Sequence, residues 1–304
     1  MTGVSAKLFP ATGAIPLTGG SSTAPASGSL PEKQARLDAI LLSLGRTLIA
    51  YSGGVDSAFL LARAHRILGD RALGVIARSP SLPSAELSSA LELAEGRGIP
   101  VRVVETKEME REGYRRNGPD RCYHCKAELF DHLTAIAASE AWRTIAYGAV
   151  TDDLGDDRPG MKAADAQRVR APLVEAGLSK LEVRLLARQL GLRVWDKPQA
   201  ACLASRIPHG VEVTVEKLRQ VEAAEAWIRE RFGIRVVRVR HFGQQARVET
   251  ERADIPRLLS AGPELGSQLA TWGFESVEID PEGYRRPDPL PVENKEVTNH
   301  VQRG

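Results

Sequence analysis

The stretch Ile49-Ala50-Tyr51-Ser52-Gly53-Gly54-Val55-Asp56-Ser57 decides how this chain reads. It joins an apolar segment to a Ser-Gly-Gly-x-Asp-Ser turn, and the turn to a run in which Phe59, Leu60, Ala64, Ile67 and Leu68 recur at helical spacing before Gly69. The pattern predicts a buried strand end over 47–50 and a helix from Asp56 that stops at Gly69. A glycine turn in that position leaves backbone N–H groups pointing outward. The helix N-terminus adds about half a positive charge, so the turn can cradle a phosphate or pyrophosphate. No Gly-Lys-Ser/Thr follows, which excludes a Walker A loop. A Gly-Gly turn alone is also an ordinary tight connection; the full six-residue pattern between strand and helix favours the phosphate reading.

Working outward, Ala72 to Ala77 and Val101 to Val104 read as buried strands, and Ser84 to Gly98 as a helix carrying Leu87, Ala90, Leu91 and Ala94. Leu129 to Ala138 reads as a helix and Thr144 to Ala149 as a strand. Strands alternating with helices predict an α/β fold with a doubly wound parallel sheet. Such sheets bind ligands beyond the C-terminal ends of their strands, where Ser79, Gly148 and Asp152 join the turn at one rim. Ser179 and Glu182 form a capping box for a helix running to Gly191. The segment Asp196 to Gly210 has little periodicity and reads as a hinge and site loop.

Beyond it the pattern changes. Thr214 to Phe232 is amphipathic; Arg235 to His241 alternates, with Val237 and Val239 on one face and Arg238 and Arg240 on the other. With strands at Ala246 to Thr250 and Phe274 to Ile279, and helical pieces between, this is a smaller C-terminal α+β domain, at about 75 residues small enough to need docking on the first. The expected boundaries are a disordered tail over 1–31, the sheet domain over 32–200, the α+β domain with its linking loop over 201–284, and a loose tail over 285–304.

With 304 residues, 42% hydrophobic and 26% charged, the composition is that of a soluble globular protein. The formal net charge of +2 argues against a dominant electrostatic drive onto nucleic acid. There is no apolar run long enough for a membrane span and no secretory signal pattern. Three cysteines, Cys122, Cys125 and Cys202, form no even framework, which points to a reducing cytoplasm and to metal or redox chemistry.

Cys122-Tyr123-His124-Cys125 is a C-x-x-C pair with several readings: a thiol couple, half a zinc site that needs His124 or another ligand, thiols in persulfide chemistry, or, with Cys202, three ligands of a [4Fe–4S] cluster with one iron open. Cys202 alone would most often be a small buried hydrophobe; beside Ser205 and Arg206 in a loop between domains it reads as a site residue. Arg238 and Arg240 are either the solvated face of a strand or, with Glu225, His241, Arg247 and Glu249, an anion-recognition set suited to the planar fork of arginine.

The Ser52 to Ser57 turn matches the SGGxDS signature of PP-loop ATP pyrophosphatases. The stretches DRCYHCK, TDDLGDDRPG, VRAPLVEAGLSK and WDKPQAACLASRIPHG resemble LarE, the pyridinium-3,5-biscarboxylic acid mononucleotide sulfurtransferase family, from about residue 33 to 284. The resemblance implies that ATP activates a substrate carboxylate as its adenylate and that a sulfur nucleophile then displaces AMP, in biosynthesis of the nickel-pincer nucleotide cofactor of lactate racemase. It implies a nucleotide site at Ala50, Ser52, Gly53, Gly54, Asp56, Ser57, Ala77 and Gly148, and Mg²⁺ to offset phosphate charge. Asp56 then orients the loop or helps hold the metal; the bland reading is a helix cap. Cys202, Ser205, Arg206 and Asp56 are the implied catalytic residues. Lys126, Glu225, Arg238, Arg240, His241 and Arg247 are the implied substrate contacts. Part of the family has only the cysteine matching Cys202 and sacrifices its sulfur; other members carry three cysteines around a [4Fe–4S] cluster, and this sequence resembles the latter. The implied partners are a small-molecule nucleotide and a sulfide source or cysteine desulfurase, in a homo-oligomer, with no membrane or nucleic acid. The sequence departs from the family at Ala149-Val150-Thr151-Asp152-Asp153, where Thr-Asn usually precedes the acidic pair. The nearest alternative is a PP-loop tRNA thiolase, which should show a strongly basic face or an added RNA-binding module.

Overall fold

The computed structural model describes residues 28–154, 159–198 and 201–284. Helix α1 (Leu30–Leu44) starts slightly before the expected edge of the folded region; the rest of the two expected tails lies outside the described residues. Pro31 sits in its first turn and the Glu32 carboxylate accepts from Ser29 N–H at 2.8 Å. This helix is additional to those expected from periodicity. It buries Leu37, Leu41 and Leu44.

Four strands, β1 (Thr47–Ala50), β2 (Ala72–Arg78), β3 (Val101–Glu105) and β4 (Thr144–Tyr147), form a parallel sheet in the order β3-β2-β1-β4. Every residue of β1 is buried, as a central parallel strand covered on both faces requires. Successive side chains point to opposite faces. Ile49 and Ile76 pack with Leu37, Phe59 and Leu61 beneath α1, α2 (Val55–Leu68) and α3 (Ser84–Glu95). Leu48 and Val75 pack on the other face with Phe130 and Leu133. After the short helix α4 (Glu112–Arg115), helix α5 (Arg121–Ser139) covers that second face, joined by α6 (Pro159–Ala166). Helix α5 begins at Arg121 rather than near Leu129, so the C-x-x-C pair forms its first turn. Its polar opening lacks the apolar spacing that marks the rest. Helix α7 (Pro172–Glu175) leads to α8 (Lys180–Gln189), whose Ser179–Glu182 capping box is present.

The C-terminal part packs α9 (Val215–Phe232), α10 (Ile255–Ser260) and α11 (Gly262–Ala270) on a mixed sheet. There β5 (Val237–Phe242) is antiparallel to β6 (Gln245–Thr250), and β6 is parallel to β7 (Ser276–Ile279). Val237, Val239 and Val248 face Ile228, Leu265 and Leu269, as the alternation predicts. The expected hinge is corrected by the structure. Leu203–Arg206 form a 3₁₀ turn, and Leu203, Ala204 and Ile207 are buried with Tyr114 of α4 and with Leu218 and Val221 of α9. Its apolar residues knit the two sheets together instead of spanning freely between them. No helix among the described residues is long and apolar enough to cross a membrane.

Candidate active site

The chain leaves β1 for β2 on one side while β4 lies on the other, so the strand order reverses at β1. The Ser52 to Ser57 turn sits at the C-terminal end of β1, where such sheets take ligands. Gly53 has φ +73°, and a Cβ there would stand 2.7 Å from Ala90 Cβ, so both conformation and space require glycine. Ser57 Oγ donates to Gly54 O and accepts from Ser52 N–H, each at 3.1 Å, and the two serine hydroxyls are 3.1 Å apart. Asp56 is no helix cap. One carboxylate oxygen pairs with Lys180 Nζ at the start of α8; the other is buried with no partner among the described residues. Burial raises its pKa, opposed by Lys180. An orphaned carboxylate oxygen beside a phosphate turn suits a hard cation.

Next to this turn a cavity of about 390 Å³ runs from Ser52, Gly54 and Asp56 past Ala77 to Lys126, Cys122, Cys125 and Cys202. The other expected nucleotide residues stand behind that wall. Ala50 is in the core, Gly53 and Ser57 shape the turn, and Gly148 lets β4 approach it. A Cβ on Gly148 would meet Ser57 N at 2.8 Å and Asp56 C at 2.9 Å, and this is backbone that cannot swing aside. Gly148→Ala is therefore expected to lower stability by about 1–3 kcal/mol, the usual cost of overpacking. It should also weaken nucleotide binding by about tenfold or more, since each 1.4 kcal/mol of displaced turn is a decade. Urea unfolding and titration with a fluorescent ATP analogue check it; wild-type values in both would contradict it. Asp152 and Asp153 do not line the cavity. Asp152 accepts from Lys180 N–H at 2.8 Å and Asp153 from Val150 N–H at 3.0 Å, so both shape the loop behind the turn.

Cys122 and Cys125 lie one helical turn apart at the start of α5, and Cys202 immediately precedes the 3₁₀ turn. Leu203 N–H donates to Ser81 O at 2.8 Å, tying the Cys202 loop to the end of β2. All three thiols are free and line the same cavity. Burial pushes the Cys125 thiol up to about 12. Among the described residues no three His, Cys, Asp or Glu side chains gather closely enough to hold a metal ion, so the cysteines line a wall without closing on a point. His124 turns to Asp120 at 3.1 Å, away from the cavity.

The remaining expected site residues fall into two groups. Arg206 and Glu225, 5% and 1% exposed, pair with each other at 2.7 Å. Arg206 also holds Ala201 O at 2.7 Å, Cys202 O at 3.1 Å and Ser205 Oγ at 3.1 Å, so it fixes the backbone around Cys202. On the sheet, His241 is buried against Gln220 at 2.8 Å and Phe274, and burial lowers its pKa. Arg240 pairs with Glu249 at 2.9 Å and donates to Ser205 O at 2.9 Å, and Arg247 pairs with Glu278 at 3.2 Å. Arg238 stacks on Tyr284 at 4.4 Å with no carboxylate partner among the described residues. None of these lines the cavity.

Sequence reasoning passes over several residues that do. Arg121, Lys180, Arg184 and Lys197 add positive charge to the cavity; with Lys126 they outnumber Asp56, Glu86 and Glu108. The capping box at Ser179 was the available signal for Lys180, because it aims that helix start at the rim.

No family model matches the chain. It is 44% identical over 245 residues to an uncharacterized protein of Synechocystis sp., covering 80% of this chain and 91% of that one. It is 27% identical over 202 residues to a component of the glutamine-hydrolyzing GMP synthase of Thermoplasma acidophilum, 62% of this chain and 64% of that one. To the pyridinium-3,5-bisthiocarboxylic acid mononucleotide synthase of Lactiplantibacillus plantarum it is 35% identical over 258 residues, 84% of this chain and 93% of the synthase. A match of that identity, extending over both sheets' worth of sequence, shows that the chain belongs to the LarE family.

Proposed function

We propose that the chain is an ATP-dependent sulfurtransferase. It adenylylates a carboxylate of pyridinium-3,5-biscarboxylic acid mononucleotide with release of pyrophosphate, and a sulfur nucleophile then displaces AMP to leave a thiocarboxylate for the nickel-pincer nucleotide. The observation that carries this reading is that the phosphate turn and all three cysteines line one cavity, so an acyl group activated at one end is within reach of sulfur at the other. The N–H groups of Gly53 to Ser57 take the phosphates; Asp56, with one oxygen unpartnered among the described residues, would hold Mg²⁺, which would offset phosphate charge; and Lys180 and Lys197 line the same end of the cavity.

Cys122, Cys125 and Cys202 are the residues that would hold a [4Fe–4S] cluster. The kind and number of donors suit such a cluster, three thiols bordering one cavity with the fourth ligand position open, although among the described residues the three do not close on a point. A cluster bound there supplies an open iron for inorganic sulfide. Ser205, Arg206 and Glu225 fix the Cys202 loop, and Arg238, the sheet guanidinium without a carboxylate partner among the described residues, takes the substrate phosphate with Arg240 and Arg247 on the same face of the sheet, whereas His241 faces the core on the other side. Free thiols fit a reducing cytoplasm. A second reading makes Cys202 the sacrificial sulfur donor; it is favoured by the thiols not converging on one point.

The test is anaerobic purification of wild type and Cys202→Ala, with iron and sulfide counted and AMP and pyrophosphate measured on the dicarboxylate nucleotide. About four iron per chain, lost in the variant, is expected for the cluster reading. Dehydroalanine at position 202 after turnover selects the sacrificial one. No AMP from wild type with that nucleotide overturns both.

A further inference from the structure

We infer that Arg121 is the receptor for the substrate's carboxylate, and hence the residue that tells a carboxylate-bearing pyridinium nucleotide from its carboxamide. The inference rests on the function proposed above and deepens it. Arg121 opens α5, beside Cys122 in sequence and one turn before Cys125, and the residue, 7% exposed, lines the cavity. Nη1 donates to Asn117 Oδ1 at 2.6 Å and to Ala204 O at 2.8 Å. Both acceptors are neutral. Nε and Nη2 make no hydrogen bond among the described residues, and no carboxylate pairs with the group there.

A buried cation without a counter-ion is costly unless something else satisfies it. The other cavity cations offer no free planar edge. Lys180 pairs with Asp56 and Lys197 with Glu86, Arg184 gives one terminal nitrogen to Trp195 O and the other to Lys197 O, and Lys126, without an ion pair among the described residues, presents a single ammonium. The cavity acid Glu108 accepts from Ser81 Oγ and makes no ion pair with Arg121. Arg121 thus keeps the Nε–Nη2 edge unused, and that edge accepts a carboxylate side-on through two parallel hydrogen bonds. Asn117 and Ala204 fix the plane of the guanidinium in advance, so little conformational entropy is lost on binding. A carboxylate docked there lies on the cysteine side of the cavity, where sulfur has to add to its carbon. A carboxamide presents an N–H₂ donor to the same edge and brings no charge.

The probes are nicotinic acid mononucleotide and nicotinamide mononucleotide, which differ in carboxylate against carboxamide on the same ring. Their dissociation constants are measured calorimetrically on the full chain, purified anaerobically, for wild type, Arg121→Gln and Arg121→Lys. Wild type is expected to prefer the carboxylate by roughly 10- to 100-fold, the range of a charge-assisted pair. In Arg121→Gln the preference should fall to about threefold or less, with Arg121→Lys between because it keeps charge without the fork. Affinity for a non-hydrolysable ATP analogue should stay within about twofold, since the phosphates bind at the turn. A merely structural role would loosen the Cys202 loop and weaken both mononucleotides together, leaving their ratio intact. A wild type without preference, or a preference surviving in Arg121→Gln, overturns the inference while AMP formation on the dicarboxylate nucleotide keeps the function standing. A wild type that binds neither probe and forms no AMP takes both down.

Discussion

Replacing Glu225 by alanine is expected to cost about 3–5 kcal/mol of unfolding free energy, the range for removing one partner of a buried ion pair. Glu225 is 1% exposed and accepts from four donors: Arg206 Nε at 2.7 Å, Arg206 Nη2 at 3.1 Å, Arg229 Nη2 at 2.7 Å and Val239 N–H at 3.1 Å. Alanine leaves the Arg206 guanidinium, 5% exposed, without its counter-charge, and strands a backbone N–H of β5. Glu225→Gln keeps an acceptor for Val239 and should lose less. Replacing both partners, as Arg206→Met with Glu225→Leu, should recover much of the loss, because the penalty belongs to the uncompensated charge. The effect reaches the site: Arg206 holds the carbonyls of Ala201 and Cys202, so the single variant should also make Cys202 react faster with a thiol reagent. Urea unfolding with thiol-titration kinetics measures both. A loss below about 1 kcal/mol would mean that the pair behaves as a solvent-screened one and that its burial contributes nothing.

The phosphate turn is legible in sequence because one local geometry needs all of its residues within a few positions: a left-handed glycine, a helix start and two hydroxyls that brace each other. The parallel strands are legible for a related reason, since burial on both faces forces continuous apolar runs such as Thr47 to Ala50. The alternation of Arg238 and Arg240 against Val237 and Val239 correctly gives the two faces of β5. What those arginines meet is not local. Arg240 finds Glu249 across the strand pair, and His241 turns into the domain core. Most cavity cations and the clasp that Asn117 makes on the Cys202 loop are illegible for the same reason: Arg121 reaches Ala204 across 83 residues, Asn117 reaches Pro208 across 91, Lys197 reaches Glu86 across 111 and Lys180 reaches Asp56 across 124, at contacts only the folded chain creates. The start of α5 is hidden differently. Its first turn spends its positions on Arg121, Cys122 and Cys125, which face a cavity, so apolar periodicity is absent where the chemistry is.

That clasp leads to the second large effect, at Asn117. It is fully buried, has φ +58°, and its side chain reaches four polar groups. Its Nδ2 donates to Ile207 O at 3.2 Å, Pro208 O at 2.8 Å and Val211 O at 3.0 Å, while Oδ1 accepts from Arg121 at 2.6 Å. Its own carbonyl accepts from Gly210 N–H at 3.0 Å. One side chain therefore closes the loop that carries Cys202 onto the start of α5, which carries the other two cysteines. Asn117→Ala removes the four side-chain bonds, leaves the Ile207 and Val211 carbonyls without a partner among the described residues, leaves Nη1 of Arg121 with Ala204 O alone, and puts a Cβ residue without a compensating side chain in the left-handed region. We expect a loss of about 2–4 kcal/mol, from roughly 1 kcal/mol per bond together with the unsatisfied carbonyls. Asn117→Gly should recover about 1 kcal/mol of it, because glycine accepts that φ without strain while restoring no hydrogen bond. The gap between the two variants thus separates backbone strain from side-chain bonding, and both should slow AMP formation by releasing Cys202. Equal stabilities for alanine and glycine, each within about 1 kcal/mol of wild type, would show that neighbouring groups or water replace the Asn117 amide and that another contact holds the loop.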